Sequence, residues 1–176
     1  RPGGPRQAVA VLATVGTCNT KAYPKAIGRT VGLAGKSNPV VVQQGCVALA
    51  GAIEGDPAFL KSAKGAPRSL ADIAGEDVRS LMESYRGSGG GPPISSVVLG
   101  CTHFPLLAPA LTRLAGPGVT LVDCAEATAS MLVRLLRGRE APRGSGGGLR
   151  LISTDAPERF ARMVGTLFPA MGPSPA

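Results

Sequence analysis

Two kinds of hydrophobic pattern alternate along this chain. Short, nearly continuous apolar runs have the length and valine content of buried strands, and they predict strands at residues 7–13, 39–43, 95–100, 119–123 and 149–153. Longer stretches with an apolar residue every three or four positions predict helices near 20–29, 69–85, 105–115 and 125–137, and after residue 155, and residues 47–54 are interpreted as a helical turn. Because strands alternate with helices, the predicted fold class is α/β, with a parallel sheet flanked by helices.

Glycine-rich stretches divide this pattern into segments. Residues 87–93 and 142–148 consist mostly of glycine, serine and proline, which is typical of flexible connectors. We therefore predict an α/β lobe at residues 1–137, a flexible linker at 138–148 and a strand-helix tail at 149–176. The chain starts without a methionine, so we expect it to be processed or cut from a longer protein.

The tail carries signals for the start of its helix. Asp155 is predicted to cap this helix, Pro157 suits its first turn, and Glu158 suits the positive end of its dipole. If the surface on which the tail packs is absent, its apolar side chains should be exposed or covered by another chain. These side chains are Leu151, Ile152, Phe160, Met163 and Phe168.

Composition and charge narrow the function classes. Hydrophobic residues make up 44% of the 176 positions and aromatic residues only 3%, so we expect an aliphatic core. The net charge of +8 comes from scattered basic residues, and few aromatic side chains could stack on bases, so nucleic-acid binding is not expected. No apolar run approaches the roughly 18 residues that cross a bilayer, and no membrane association is predicted. We expect a cytoplasmic protein, or a plastid one if the source is an alga or plant.

The four cysteines show no metal-binding spacing. They form no C-x-x-C pair and have no histidine at the spacing of a zinc site, so we predict free thiols and no metal. Cys46 and Cys124 are interpreted as core thiols. Cys101 differs from them because it directly follows a predicted strand and is followed by Thr102 and His103, the only histidine of the chain.

This position favours chemistry at Cys101. Pro105 favours the start of a helix shortly after the strand, so the thiol lies where a strand ends and a helix begins. Unpaired N–H groups at a helix start lower the pKa of a thiol and also bind carboxylates. His103 is then a candidate proton donor or a group that polarises the thiol.

The segment around Cys101 also resembles a known family. Residues 99–107, LGCTHFPLL, resemble the second cysteine motif of glutamate racemases and of the wider aspartate/glutamate racemase family. Other segments are similar in the same order: 13–17 with Ala22 and Tyr23, 44–46 with Ile53 and Glu54, 122–123 with 126–127, and 151–155 with 160–161. The resemblance covers nearly the whole chain and implies a racemase-like α/β lobe with a strand-helix tail.

The resemblance implies a cofactor-independent isomerase that converts L-glutamate to D-glutamate for peptidoglycan synthesis. In that family, one cysteine thiolate removes the α-proton and a second, opposed thiol delivers a proton to the other face. Cys101 would be one of these proton carriers, and His103 would tune its thiol and contact the substrate. Glu54 would be a supporting catalytic carboxylate, and Thr102, Thr14 and Thr17 would bind the substrate.

The first half of the family pattern has no counterpart in this chain. That half carries an Asp-Ser motif, a Tyr-Gly pair and the first catalytic cysteine in a Cys-Asn-Thr context. Cys18 is followed by Asn and Thr here, but its neighbours place it in the central segment, so it is not predicted to be the partner of Cys101. We therefore expect the carboxyl-terminal portion of a racemase, whose tail packs on an absent N-terminal lobe, and no activity from Cys101 alone.

Three other functions fit the same residues. They are an aspartate or related amino-acid racemase, a hydrolase with Cys101 as nucleophile beside His103, and a non-catalytic lobe that acts through a partner chain. The hydrolase requires two residues at a strand tip to face each other, which adjacent positions rarely do. For the racemase, the expected partners are glutamate and either a second copy of the chain or the missing lobe.

Overall fold

The computed structural model describes residues 7–138 and 150–168. The chain divides into two compact units, Arg1–Leu135 and Leu136–Ala176. In chain order, the described elements are β1 (Ala8–Thr14), α1 (Val15–Thr20), α2 (Ala22–Leu33), β2 (Val40–Cys46), α3 (Leu49–Ile53), α4 (Leu70–Gly87), β3 (Ile94–Gly100), a 3-10 helix (Phe104–Leu107), α5 (Ala108–Ala115), β4 (Thr120–Asp123), α6 (Cys124–Leu136) and α7 (Pro157–Leu167).

The four strands of the first unit form one parallel sheet in the order β2-β1-β3-β4. This arrangement confirms the predicted α/β class. Leu12 of β1 pairs with Leu99 of β3, which in turn pairs with Asp123 of β4. Because all four strands run in the same direction, their carboxyl ends meet at one edge of the sheet, where ligands bind in folds of this kind.

The core lies on both faces of this sheet because successive strand residues point to opposite sides. On one face, Leu12 and Leu99 pack with Ile73, Phe104 and Leu111 from the helical segments. The opposite face has a smaller cluster built on three strand residues, with side chains of α1 and α2 against it. Its members are Val11, Ala13 and Val98, joined by Val9, Cys18, Tyr23, Ile27, Val41 and Cys124.

Helix α4, predicted near residues 69–85, spans Leu70–Gly87 and begins with a reciprocal cap. The Ser69 hydroxyl accepts a hydrogen bond from the Asp72 backbone N–H, and the Asp72 carboxylate accepts one from the Ser69 backbone N–H in return. This reciprocal capping satisfies two N–H groups that a helix start leaves unpaired. The hydrogen bonds from Ser69 also lower the pKa of Asp72. The cap thus fixes the start of the long helix that covers one face of the sheet.

Two predictions in the first unit need adjustment. A turn is predicted between the first strand and residue 20, but α1 starts at Val15 directly after β1. The reason is that Thr14 caps this helix with its side chain, accepting a hydrogen bond from the Thr17 backbone N–H. Strand β2 runs to Cys46 rather than Gln43, since β1 offers it a parallel pairing partner along its whole length.

The predicted tail strand is wrong over its described part. Residues 150–153 pair with no strand, although the helix that follows them is present as α7. Asp155 does not cap this helix; its N-cap is Ala156, in a left-handed conformation with φ 46°, and Pro157 occupies the first turn as predicted. The Asp155 carboxylate instead accepts a hydrogen bond from the Ala156 N–H. Residues 139–148 of the predicted linker lie outside the described residues.

Three of the five apolar tail residues named above are exposed and two are half-buried. Ile152 is 76% exposed, Phe168 49% and Leu151 45%. Phe160 and Met163 are half-buried. None of the helices in residues 7–138 and 150–168 combines the length and the apolar character needed to cross a membrane.

Candidate active site

Cys101 lies at the carboxyl edge of the sheet, as predicted. It directly follows β3, and its backbone carbonyl accepts a hydrogen bond from the Phe104 N–H, which closes the turn into the 3-10 helix. The residue before it must be small. A Cβ on Gly100 would lie 2.7 Å from the Tyr23 ring and 3.0 Å from the Ala13 Cβ. The glycine therefore lets the aromatic ring of α2 pack directly against the end of β3.

The structure joins Cys101, His103 and Glu54 into one chain of polar contacts. The Cys101 Sγ lies 3.7 Å from His103 Nδ1, and His103 Nε2 lies 2.8 Å from Glu54 Oε1. Glu54 is the C-cap residue of α3, so two segments that are distant in the sequence meet here. The His103 and Glu54 side chains are only 27% and 25% exposed. When Nε2 donates its proton to the carboxylate, Nδ1 presents a lone pair to the thiol.

This geometry brings together the three residues to which the resemblance assigns catalytic roles. Each has a different chemical capacity. A thiolate is a base toward carbon, an imidazole holds or passes a proton, and a carboxylate fixes the ring orientation and stabilises a positive imidazolium. The group can therefore move a proton to and from the Cys101 sulfur. It also shows that the two residues at this strand tip face each other, against the sequence-based expectation.

The three threonines assigned to substrate binding occupy different positions. The Thr14 hydroxyl lies 3.0 Å from the Thr17 hydroxyl, and both are half-buried at the junction of β1 and α1. Thr14 is occupied as a helix cap. Thr102 is exposed in the turn after β3 and lines a pocket with Cys101. Substrate binding by these threonines stays a prediction.

The pocket beside Cys101 has a volume of about 370 Å³. This is within the range of small-molecule sites. It lies at the ends of β3 and β4, and residues of α2 and α6 complete its lining. Its lining residues are Tyr23, Gly100, Cys101, Thr102, Cys124, Ala125 and Thr128. Within the described ranges, no three His, Cys, Asp or Glu side chains are grouped as metal ligands would be.

The remaining cysteines differ in their surroundings. Cys46 is 3% exposed, and burial raises the pKa of its thiol, so its interpretation as a core thiol is confirmed. Cys18 is half-buried in α1, burial raises the pKa of its thiol, and it does not line the pocket. Cys124 is half-buried and packs against the smaller core cluster, and it also lines the pocket with Cys101, so its interpretation as a core thiol describes only part of its surroundings.

Sequence reasoning missed Cys124 although a signal was present. Cys124 directly follows β4, just as Cys101 directly follows β3. Its sulfur also accepts a hydrogen bond from the Tyr23 hydroxyl at 3.3 Å. Because each of two neighbouring parallel strands is followed directly by a cysteine, both thiols lie at the same edge of the sheet.

These features define an α/β lobe whose sheet edge carries a cysteine–histidine–glutamate group beside a small-molecule pocket. No protein-family model matches the chain. It is 32% identical over 163 residues to a glutamate racemase from Symbiobacterium thermophilum, a match that covers 92% of this chain and 52% of that protein. The chain is therefore similar to glutamate racemases over nearly its whole length. It spans about half the length of the curated relatives it matches.

Solved structures support the same fold. Glutamate racemase isoform RacE1 from Bacillus anthracis matches with a TM-score of 0.68 and 22% identity, over 92% of this chain and 54% of that one. The glutamate racemase from Francisella tularensis, solved in complex with D-glutamate, matches with a TM-score of 0.64 and 21% identity, over 93% and 54%. Both matches show that the described sheet and helices share the α/β fold of these structures.

Proposed function

We propose that this chain supplies one lobe of a cofactor-independent glutamate racemase, which interconverts L- and D-glutamate. The observation that carries the proposal is the Cys101–His103–Glu54 group beside a pocket, in a chain similar to glutamate racemases. The Francisella tularensis relative is described as a complex with D-glutamate, which supports glutamate as the substrate. The complete enzyme would act in the cytoplasm and provide D-glutamate for peptidoglycan.

The proposed chemistry starts at the Cys101 sulfur. As a thiolate, it removes the α-proton of bound glutamate, and the electron pair of the C–H bond stays on the α-carbon. His103 lies close enough to accept the thiol proton or to return it, and Glu54 holds the imidazole in the orientation that this transfer needs. Thr102, Thr14 and Thr17 are retained as proposed substrate contacts. A second proton carrier is needed on the opposite face to invert the α-carbon.

Exposed apolar side chains on α6 and in the tail offer surfaces on which the missing half of the family pattern could pack. Helix α6 has no buried residue, and five of its apolar side chains are 47–65% exposed: Met131, Leu132, Val133, Leu135 and Leu136. In the tail unit, Leu151, Ile152 and Phe168 are also exposed. Exposed apolar groups of this size mark surfaces that another protein surface covers. We propose that a second lobe covers them in the complete enzyme, with residues 149–176 as the tail that packs on it.

Protection of Cys101 from alkylation tests substrate binding. We expect L- or D-glutamate to slow the reaction of Cys101 with iodoacetamide several-fold, because the bound amino acid places its α-carbon against the sulfur. Peptide mass spectrometry measures the alkylation of each cysteine, and Cys18 in the same digest serves as the internal control. Equal alkylation with and without glutamate contradicts the proposal. Stronger protection by aspartate would instead assign the chain to the aspartate racemases.

Removing the charge of Glu54 tests the role of the contacts that join Cys101, His103 and Glu54. In Glu54→Gln the imidazole keeps a hydrogen-bond acceptor but loses the negative charge that stabilises its protonated form. We expect alkylation of Cys101 at neutral pH to slow about tenfold, since hydrogen bonds to charged groups contribute about 1.5 kcal/mol. Glu83→Gln, at an exposed position of α4, is the matched control. Equal rates in both variants would show that Glu54 does not act on the thiol.

A cysteine hydrolase is the second candidate. The 3.7 Å separation of Cys101 Sγ and His103 Nδ1 fits a nucleophile beside its general base. Such an enzyme forms an acyl-thioester on Cys101, whereas a racemase forms no covalent intermediate. An acyl adduct on the Cys101 peptide after incubation with activated esters, with turnover of the ester, would favour the hydrolase.

A further inference from the structure

A second cavity of the first unit shares no residue with the pocket beside Cys101. It has a volume of about 370 Å³, which is within the range of small-molecule sites. It lies between α4 and α5, where β3 and β4 begin, at the end of these strands that is remote from Cys101. Its floor consists of buried apolar side chains from the sheet and from both helices, among them Leu12, Leu81, Val97 and Leu111.

The segment between α4 and β3 forms a fixed wall of this cavity. The Tyr85 hydroxyl donates a hydrogen bond to the Pro92 carbonyl at 2.6 Å. Gly91 approaches the same hydroxyl so closely that a Cβ at this position would lie 2.7 Å from it. The rings of Pro92 and Pro93 also restrict the backbone φ angles of this wall. These contacts keep the segment from collapsing into the space between the two helices.

One charged side chain lines this otherwise apolar cavity. Arg86 belongs to the last turn of α4, and within residues 7–138 and 150–168 its guanidinium forms no ion pair. The last carbonyls of α4 accept hydrogen bonds from the N–H groups of residues 88–90, so they do not bind the guanidinium either. An apolar cavity holds water poorly, whereas a guanidinium pairs well with a carboxylate. The lining therefore favours a ligand with an apolar body and one negative charge.

We propose that this cavity is a binding site for a small carboxylate whose apolar body lies between α4 and α5 and whose charge pairs with Arg86. The site does not depend on the proposed function, because its lining is separate from the Cys101 pocket. Glutamate is not its ligand. Its ammonium group and its second carboxylate would face apolar walls without a partner, which costs free energy.

An NMR titration with 4-phenylbutyrate tests the site, with neutral 4-phenyl-1-butanol as the matched ligand. We expect 4-phenylbutyrate to bind with a Kd of about 1 mM, a typical strength for a ligand of this size, and to shift backbone amides of α4 and α5. The alcohol should bind about three- to fivefold more weakly, since an exposed guanidinium contributes little. Arg86→Gln should remove this difference. Arg79→Gln, at an exposed position of α4 outside the lining, should preserve it.

A variant that fills the cavity tests where the probe binds. Ala115→Leu adds three carbon atoms to the lining, so we expect both ligands to bind at least tenfold more weakly. Thermal unfolding checks that this variant folds, and Leu114→Phe, which fills the cavity from its rim, replaces it if it does not.

Three results would overturn the inference. They are the absence of shifts in α4 and α5, unchanged affinity in the filled variant, and displacement of 4-phenylbutyrate by glutamate. A dimer in analytical ultracentrifugation that the filled variant dissociates would also overturn it, because the cavity would then belong to a contact between two copies of the chain. Protection of Cys101 by glutamate is measured separately, so none of these results bears on the proposed function.

Discussion

Cys101→Ser is expected to lower deuterium incorporation at the α-carbon of glutamate by about 10³-fold, within the usual range for loss of a general base. A serine hydroxyl has nearly the same shape as a thiol but is far less acidic, so it provides almost no anion at neutral pH. The position after β3 and the other residues of the pocket lining are unchanged in this variant. The loss would therefore report the chemistry of sulfur rather than the fold. NMR of the glutamate α-proton in deuterated water measures it.

The same experiment has a clear opposite outcome. A Cys101→Ser chain that exchanges the α-proton within tenfold of wild type would show that another group removes this proton. Cys18→Ser provides the comparison, because it makes the same chemical change in α1, away from the pocket. Near-wild-type exchange in that control, with loss in Cys101→Ser, assigns the base to one sulfur.

Phe104→Ala is expected to destabilise the first unit by about 3–5 kcal/mol, the usual cost of removing a large buried aromatic side chain. Phe104 is fully buried in the core cluster that includes Leu12, Leu99 and Leu111. Its backbone N–H also donates to the Cys101 carbonyl, so the residue ties the catalytic turn to the core. Since whole domains are stable by only about 5–15 kcal/mol, this loss is a large fraction of the total. Urea denaturation followed by circular dichroism measures it.

The matched control for this change lies two residues further on. Leu106 belongs to the same 3-10 helix but is 49% exposed, so Leu106→Ala should change the free energy of unfolding by about 0.5 kcal/mol or less. Equal costs for the two variants would contradict the assignment of Phe104 as the residue that anchors this turn.

The parts of the fold that local signals determine could be predicted from the sequence. The β3 run ends at a glycine, and Ser69 with Asp72 forms a reciprocal cap, so these features depend on residues that are close in the chain. The tail strand failed because an apolar run becomes a strand only beside a partner strand, and residues 150–153 have none. Hydrophobic patterning gives the potential to pair, but the partner decides whether pairing occurs.

Less of the candidate site than of the fold could be predicted from the sequence. The position of Cys101 follows from the end of a strand, whereas the contact of Glu54 with His103 joins residues that are 49 positions apart, and only the family resemblance indicated it. The position of Cys124 in the pocket lining was missed because a cysteine in an apolar segment usually packs in a core. Its exposure to the pocket depends on the register of β3 with β4 and on Tyr23, which belongs to α2. Such long-range geometry is not contained in any local pattern.

The absence of a side chain at Gly100 has a consequence for variation in this lobe. Even one methyl group there would meet the Tyr23 ring at 2.7 Å, and the neighbouring Ala13 leaves no room for the strand to shift away. A library that randomises position 100 should therefore retain glycine, while positions on the exposed helix α6 accept many residues as long as no other protein surface covers them. The pattern of tolerated substitutions would then distinguish the residues of the reaction centre from the residues of the surface on which assembly occurs.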